Sequence, residues 1–512
     1  MKLVRKFRPP VQTRSFGSGL IVGCFLVSIT YVMIYKNEIV NCVPSSPSLL
    51  PSLLSGAAPM SSMVGNNRKI QVSGHAKGTQ RSELKSSEVM ELHDNSSSKA
   101  SVSDVAVKEK NSTTNKSGDG SPGRNQMCDH SSFRVDICDM EGDIRITGKN
   151  SSSVMLIGIS PDMSSRDGKE SWQMKPYPRK YDFSAMSKVG ALNLKSLHGD
   201  QEAPKCTINH TVPGVLFSTG GHCGNCFHDF ADVLIPLFQT ASPFQGQVQL
   251  IITNYAGWWM HKYRPYLTKL SSYDVIDLDN DERVHCFRHL TVGLRAGRDL
   301  MIDPSASPND TIMDFVQLTR AAYSLDRDRA WPAGVRSNKM KPRLLFIARG
   351  GTRRFVNLEE LVGMAEEVGY EVVASEPDFF DVARFGHIVN SCDVMVGVHG
   401  AGLTNFLFLP TNSVVVQVVP LGNLDWIAQN FYAEPAKGRK LKYLQYNITQ
   451  EESTLMDLYP PDHAVFKDPD YIHKQGWSKL GNVYLKQQSV RLHVNRFRSM
   501  LQKALQLLHE NN

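Results

Sequence analysis

Apolar positions along this chain follow two rhythms. Short runs at 154–159, 215–217, 248–252 and 284–287 read as buried strands, while 227–238, 258–270 and 312–323 place apolar residues at the three-and-four spacing of a helix. A polar, proline-containing stretch at 326–341 reads as a linker. Beyond it the alternation resumes with strand 343–348, helix 358–367 stopped by Gly369, strand 370–374, helix 381–391, and strands 393–398 and 413–419. Strands alternating with helices favour parallel sheets covered on both faces. The pattern therefore predicts an α/β protein with two doubly wound, Rossmann-like domains facing a cleft. Glu141-Gly142-Asp143 reads as a turn, and 485–508 as a core-facing helix.

The first 126 residues obey neither rhythm. Lys2, Arg5, Lys6, Arg8 and Arg14 precede an uncharged apolar run at 15–35, which at ~1.5 Å per residue is long enough to cross ~30 Å of hydrocarbon. Its bulky end, Tyr31, Met33, Ile34 and Tyr35, does not suit signal cleavage. This predicts a cytosolic tail at 1–14, an uncleaved transmembrane signal anchor at 15–35 and a lumenal remainder. Residues 36–126 are rich in Ser, Lys and Asn with almost no aromatics, and read as a disordered stem. The folded part then divides at 127–340, 341–486 and a C-terminal helix at 487–512. With 512 residues, 41% of them apolar, the chain has room for two packed domains and a tail.

Two features agree with a secretory lumen. Asn95, Asn111, Asn115, Asn150, Asn209, Asn309 and Asn447 each open an N-x-Ser/Thr glycosylation acceptor. Outside the anchor and stem, Cys128, Cys138, Cys206, Cys223, Cys226, Cys286 and Cys392 are set for disulfides, with an odd one left to stay free or pair elsewhere. The net charge of +7 is spread along the chain, with no basic block interleaved with aromatics, which argues against a nucleic-acid partner.

The chemistry concentrates after strand 393–398, where Val398 leads into His399, Gly400, Ala401, Gly402, Leu403, Thr404 and Asn405. A strand, a glycine turn and a helix start make an anion site, because glycine allows close backbone approach and the first helical N–H groups point outward. Arg349 and Arg353 follow the first strand of the second domain, at the carboxyl edge where open α/β sheets bind ligands. Guanidinium suits phosphate because its planar fork donates twice and stays charged. The structural alternative is a packing corner, with His399 a core histidine and Arg354 a solvated loop residue.

His228 and Asp232, spaced i,i+4, share a face of the first helix, where a carboxylate would orient an imidazole as a proton acceptor. Asp229 is a second candidate base; a helix-start pair stabilised by the dipole is the structural alternative. Trp258 and Trp259 offer flat rings to a sugar, or simply fill the core. His222-Cys223-Gly224-Asn225-Cys226 has residue types that ligate metals, but a single C-x-x-C in an oxidising compartment reads as disulfide or core thiols rather than zinc ligands. Asp277-Leu278-Asp279 and Asp279-Asn280-Asp281 would admit a divalent cation, but a site supplied with Arg and helix N–H groups does not require one, so no metal ligand and no obligatory cofactor is assigned.

Residues 128–145, 227–238, 349–357 and 399–405, with Glu451-Glu452-Ser453 and Gln487-Gln488-Ser489-Val490, resemble plant glycosyltransferase family 61 over the chain from Cys128 onward. The resemblance implies a GT-B-like fold, with 127–340 on the acceptor side, 341–486 binding the nucleotide sugar and the final helix crossing back to the first domain. It also implies a single-pass type II Golgi membrane protein that transfers a pentose, xylose or arabinofuranose, from a UDP-sugar to xylan with inversion. An N-glycan β-1,2-xylosyltransferase and a catalytically silent scaffold within a complex of Golgi transferases are the alternatives.

Overall fold

The computed structural model describes residues 128–149, 152–157, 171–197, 203–303, 310–330 and 341–510. The tail, anchor and stem with Asn95, Asn111 and Asn115 lie outside these residues, as do Asn150 and Asn309. Asn209 and Asn447 lie within them, both exposed.

The first lobe holds β1 (Cys128–Asp129), β2 (Ile137–Thr147), β3 (Ser153–Ile157), β4 (Ser171–Met174), β5 (Leu192–Leu197), β6 (Ile208–Asn209), β7 (Gly214–Ser218), β8 (Gln249–Thr253), β9 (Ile276–Asp277) and β10 (Val284–Val292). Their order is β4-β5-β3-β2-β10-β7-β8-β9, with β1 on β2 and β6 on β10. The β10-β7-β8-β9 half is parallel, as the pattern predicts. The other half is not: β2 runs antiparallel to β1, β3 and β10, and β4 antiparallel to β5. The first lobe is therefore a mixed sheet, which corrects the expectation of a doubly wound one.

Strand β2 supplies the reason. Cys138, Met140, Ile144 and Ile146 are buried between more exposed residues, the period-two pattern of a strand covered on one face. Glu141-Gly142-Asp143 is consequently no turn. The strand runs through it, and the register against β10 shifts between Phe287 and His289, so that Gly142 and Asp143 oppose one residue in a β-bulge. Gly142 takes φ +137°, a conformation that favours glycine.

In this lobe helix α1 spans 226–241, α2 is Gly257–Leu270 and α3 is Ile312–Tyr323. The second lobe contains β11 (Arg343–Ile347), α4 (Leu358–Val368), β12 (Glu371–Ser375), α5 (Val382–Asn390), β13 (Val394–Val398), the 3₁₀ helix Ala401–Phe408, β14 (Val414–Val419), β15 (Lys442–Asn447) and α6 (Val494–His509). Its five strands are parallel in the order β12-β11-β13-β14-β15. Every residue of β13 and β14 is buried, as helices on both faces require. Gly369 ends α4 at φ +115° and donates to the carbonyls of Ala365 and Glu366.

Helix α6 starts later than the apolar spacing suggests. Residues ahead of it are extended, and Val490 bridges to Phe355 and Ser453. Its buried residues Phe497, Leu501, Ala504 and Leu508 join α4, β14 and β15 of its own lobe, so it does not cross back to the first. The lobes are linked by α3, which lies against α2 on one side and against α5 and the 3₁₀ helix on the other, and by the start of α1, which also packs on the 3₁₀ helix. There the Phe230 ring meets Phe315 and Phe408 edge-on at 6.3 and 6.1 Å, inside one apolar cluster. The cleft is thus closed along this seam by a shared core.

Among the described residues two disulfides form, Cys128–Cys138 and Cys206–Cys286, while Cys223, Cys226 and Cys392 are free thiols.

In the parallel part of each sheet chain order reverses at one point. In the first lobe it lies between β7 and β10, and in the second between β11 and β13. Such points open a crevice beyond the carboxyl ends of the strands, because the connections on either side leave in opposite directions.

Candidate active site

At the first crevice, α1 begins shortly after β7. The Asn225 side chain caps it by accepting from the Phe227 N–H. The helix is apolar nearly all round, with Phe230, Val233, Leu234 and Leu237 sealed in the core, so a charged residue on it must find partners. From Asp229 to Leu234 it widens into a π segment, Ile235 donating to the Phe230 carbonyl, immediately before Pro236, which has no N–H to give.

Asp232 sits in that segment, fully buried. Its Oδ1 accepts from Arg134 at 2.7 Å, and its Oδ2 from Arg179 at 2.8 Å, the Tyr177 hydroxyl at 2.9 Å and His228 Nδ1 at 2.8 Å. Asp299, from the loop after β10, closes the ring by pairing with Arg134 at 2.7 Å and Arg179 at 2.9 Å. Burial would raise the Asp232 pKa, but the His228 hydrogen bond and the charges of Arg179, His228 and Arg134 overcome it and hold the carboxyl well below its usual range. An ionised carboxylate can only accept, so His228 Nδ1 carries a proton, and in the neutral form of the ring Nε2 presents a lone pair. His228 keeps 20% of its side chain exposed, enough to meet a ligand. Arg179 holds φ +91°, a strained backbone for a residue with a Cβ.

A second pair lies beside the first. His222 Nε2 is 3.0 Å from Asp182 Oδ2, and its ring stands 4.5 Å from that of His228. Burial and the neighbouring His228 lower the His222 pKa, against the opposing pull of Asp182.

At the second crevice, His399-Gly400 follows β13 and the 3₁₀ helix follows the glycine. Gly400 has φ +143°, and a Cβ there would lie 2.5 Å from Arg353 Nη1 and 3.1 Å from Arg349 Nη1. Only glycine lets both guanidinium groups close over the turn. Arg353 Nη1 donates to the His399 carbonyl at 3.1 Å, and Arg349 Nε to the Thr352 carbonyl at 3.1 Å. Neither forms an ion pair among the described residues, and the buried Arg353 Nε has no partner there. Burial lowers the pKa of both, and with the Arg349 charge beside it Arg353 falls to about 10. Two cations partly withdrawn from water, side by side, with Glu376 near Arg349 but no carboxylate in ion-pair contact with either among the described residues, fit an anionic ligand.

His399 is neutral. Burial, then Arg353 and Arg349, push its pKa down to about 3. Gln417 lies 2.7 Å from its Nδ1, while the Tyr443 hydroxyl donates to Gln417 Oε1 at 2.8 Å, so the amide NH₂ faces the ring and Nε2 bears the proton. The Arg353 loop is strapped by 488–490: Arg353 N–H donates to the Gln488 carbonyl at 2.8 Å, and Val356 and Val490 extend the pairing. Gln488 also accepts from the Ser453 hydroxyl at 2.9 Å.

Tyr432 joins the two halves. Its hydroxyl donates to the Gly400 carbonyl at 2.8 Å, its ring stands edge-on to His399 at 5.4 Å, and Phe227, next to His228, lies 6.0 Å away.

Residues 226–416, which include both crevice helices and the glycine turn, match the Glycosyltransferase 61 domain. The chain is 36% identical to a β-1,2-xylosyltransferase of Oryza sativa subsp. japonica, an alignment covering 99% of this chain and 96% of that one. The chain belongs to glycosyltransferase family 61. It is also 39% identical to a xylan glycosyltransferase of Arabidopsis thaliana over 78% of this chain and 84% of the relative. Against an α-1,3-arabinosyltransferase of Oryza sativa subsp. japonica the identity is 46% over 76% of this chain, and the aligned segment spans 66% of that relative's length.

Within this family 61 chain the predicted residues divide clearly. The structure brings together His228 and Asp232, and separately Arg349, Arg353, His399, Gly400 and Gly402, where a Cβ would lie 3.8 Å from Arg349 Nη1. Ala401 is partly exposed at the helix start, whereas Leu403, Thr404 and Asn405 turn into the core. Asp229 is fully buried, its oxygens occupied by the Gly224 N–H at 2.8 Å, Trp259 Nε1 at 2.9 Å, the Tyr263 hydroxyl at 2.7 Å and Lys262 at 3.3 Å. It bolts α1 to α2 and offers no oxygen to an acceptor. Trp259 is sealed with it, while Trp258 is 43% exposed. Asp279 accepts the Tyr255 N–H, and Asp281 is held by Arg283 and His285.

Sequence reasoning missed Arg134, Tyr177, Arg179, Asp299, Asp182, His222 and Tyr432. His222 and Arg134 stood inside stretches already singled out. The others carry no local signal, because their partners come from distant parts of the chain.

Proposed function

We propose that this protein is an inverting pentosyltransferase that moves xylose or arabinofuranose from a UDP-sugar to the backbone of xylan. The observation that carries the reading is the pair of guanidinium groups over the Gly400 turn, neither in an ion pair among the described residues, joined through Tyr432 and Phe227 to a histidine that Asp232 holds by Nδ1, which leaves Nε2 for an acceptor hydroxyl. Breaking the bond between the anomeric carbon and the diphosphate oxygen builds negative charge on the leaving UDP, which Arg349, Arg353 and the first N–H groups of the 3₁₀ helix would stabilise. His228 Nε2 removes the acceptor hydroxyl proton as that oxygen attacks the opposite face of the anomeric carbon. Asp232 holds the ring and stabilises the imidazolium that forms. With these donors in place no divalent cation is required. The relatives' names support a pentose donor and a xylan acceptor, and the N-terminal sequence supports a Golgi type II protein anchored at 15–35.

The test offers UDP-xylose and UDP-arabinofuranose to the purified protein with defined xylo-oligosaccharides, with EDTA present and absent, and reads the new linkage by NMR. A pentosyl-xylan product whose formation survives EDTA is expected. Transfer to an N-glycan acceptor alone, or no transfer from either donor, would reject the reading.

A further inference from the structure

Three exposed aromatic side chains meet where the two lobes face each other. Trp258 comes from the first turn of α2 in the first lobe, and Phe379 and Phe380 come from the loop between β12 and α5 in the second. They are 43%, 44% and 73% exposed. The Trp258 and Phe379 rings are 5.6 Å apart, and those of Phe379 and Phe380 4.9 Å.

The cluster is continuous with both halves of the candidate site. A Cβ at Gly224 would lie 3.3 Å from the Trp258 ring, and Gly224 is two residues from His222 and donates its N–H to Asp229. On the other side, Pro377, two residues before Phe379, lies 3.8 Å from where a Cβ would stand on Gly402. The preceding Glu376 accepts the Gly350 N–H at 2.8 Å. The cluster is also held in place: the Lys262 ammonium sits 4.1 Å from the centre of the Phe379 ring while paired to buried Asp229.

We propose that Trp258, Phe379 and Phe380 form a stacking platform for a sugar unit of the acceptor chain remote from the one that receives the pentose. The inference rests on the function proposed above and adds a second binding subsite to it. A pentopyranose ring lacks the C6 hydroxymethyl group, so its flat faces expose C–H groups, and these carry the slight positive charge that the negative face of an aromatic ring attracts. The platform spans both lobes, so a chain lying on it is held at the mouth of the site while its neighbouring unit reaches His228. Longer xylo-oligosaccharides should then be better acceptors than short ones.

Transfer to xylohexaose and xylobiose, with binding of unlabelled xylohexaose measured by calorimetry, tests this in the whole protein. The preference for the hexaose, as a ratio of kcat/KM, should fall about tenfold in Trp258→Ala and in Phe380→Ala. UDP affinity and melting temperature should hold, Trp258→Phe should restore most of the preference, and Trp477→Ala, at another exposed aromatic, should not alter it. A wild-type protein with no length preference, or alanine variants that keep it, would overturn the platform. If no transfer occurs at all the proposed function fails, and the platform is then decided by binding: loss of xylohexaose affinity in the alanine variants supports it, unchanged affinity or none in the wild type rejects it. Self-association that Trp258→Ala abolishes without touching glycan affinity would make the patch an interface between copies and reject the platform.

Discussion

Around Asp232 two guanidinium groups, Arg134 and Arg179, meet two carboxylates, Asp232 and Asp299. Around Gly400 two guanidinium groups, Arg349 and Arg353, meet a glycine turn, a neutral histidine and backbone carbonyls. The same residue type thus does opposite work in the two lobes. Where charges are matched in a buried network, the geometry is fixed before any ligand arrives, which suits a base that must be aimed. Where they are unmatched, the compensating charge has been left for a ligand to bring, which suits a diphosphate that arrives and departs.

The sharpest way to break this contrast is to remove one charge from each cluster and compare stability. Asp232→Asn strands two largely buried cations with a single remaining carboxylate, and should cost ~3–5 kcal/mol in urea unfolding. An unchanged midpoint would remove Asp232 from its place as hub. Next in size, His228→Ala should lower kcat by ~10²–10⁴-fold while UDP affinity stays intact, because it deletes a proton acceptor and no donor contact. A matching fall in UDP affinity would place His228 on the wrong half of the site.

Arg353→Met should weaken UDP binding by ~10–100-fold, yet leave the unliganded melting temperature unchanged or raised, since it removes a partly buried charge without a counter-ion. Calorimetry with UDP and a thermal melt read the two signs; destabilisation like that of Asp232→Asn would mean that the Arg353 charge is already compensated within the protein. A further contrast is in pH dependence. The folded His399 titrates at about 3 against 6.5 in the unfolded chain, so the native state binds fewer protons. Its contribution is complete above pH 6.5 and is lost as pH falls towards 3, at ~1.4 kcal/mol per unit, alongside any other titrating group. His399→Gln should flatten the stability profile in that window.

What could be read without coordinates was short-range. The i,i+4 spacing of His228 and Asp232 and the two glycines after a buried strand are features of a few consecutive residues, and hydrogen bonds within a helix or across one turn follow from them. The alternation of strands and helices predicted most of the second lobe for the same reason, since its central strands β11, β13 and β14 are buried on both faces and announce themselves, whereas the half-exposed edge strand β15 went unread. The first lobe was harder. A strand that passes through Glu141-Gly142-Asp143 looks like a turn until β10 pairs with both sides of it, and an antiparallel edge is decided by which strand reaches it.

Asp229 makes the point within one helix. By composition it equals Asp232 as a base, and only the arrival of Trp259, Lys262 and Tyr263 from α2 shows that its oxygens are already taken. Local sequence determined the helices, the buried strands, the glycine turn and the type of chemistry, because those depend on backbone sterics and periodicity. Tertiary structure alone decided which charges are compensated, because Arg134 and Arg179 reach Asp232 across 98 and 53 residues, and a partner at that separation is set by how the sheet closes.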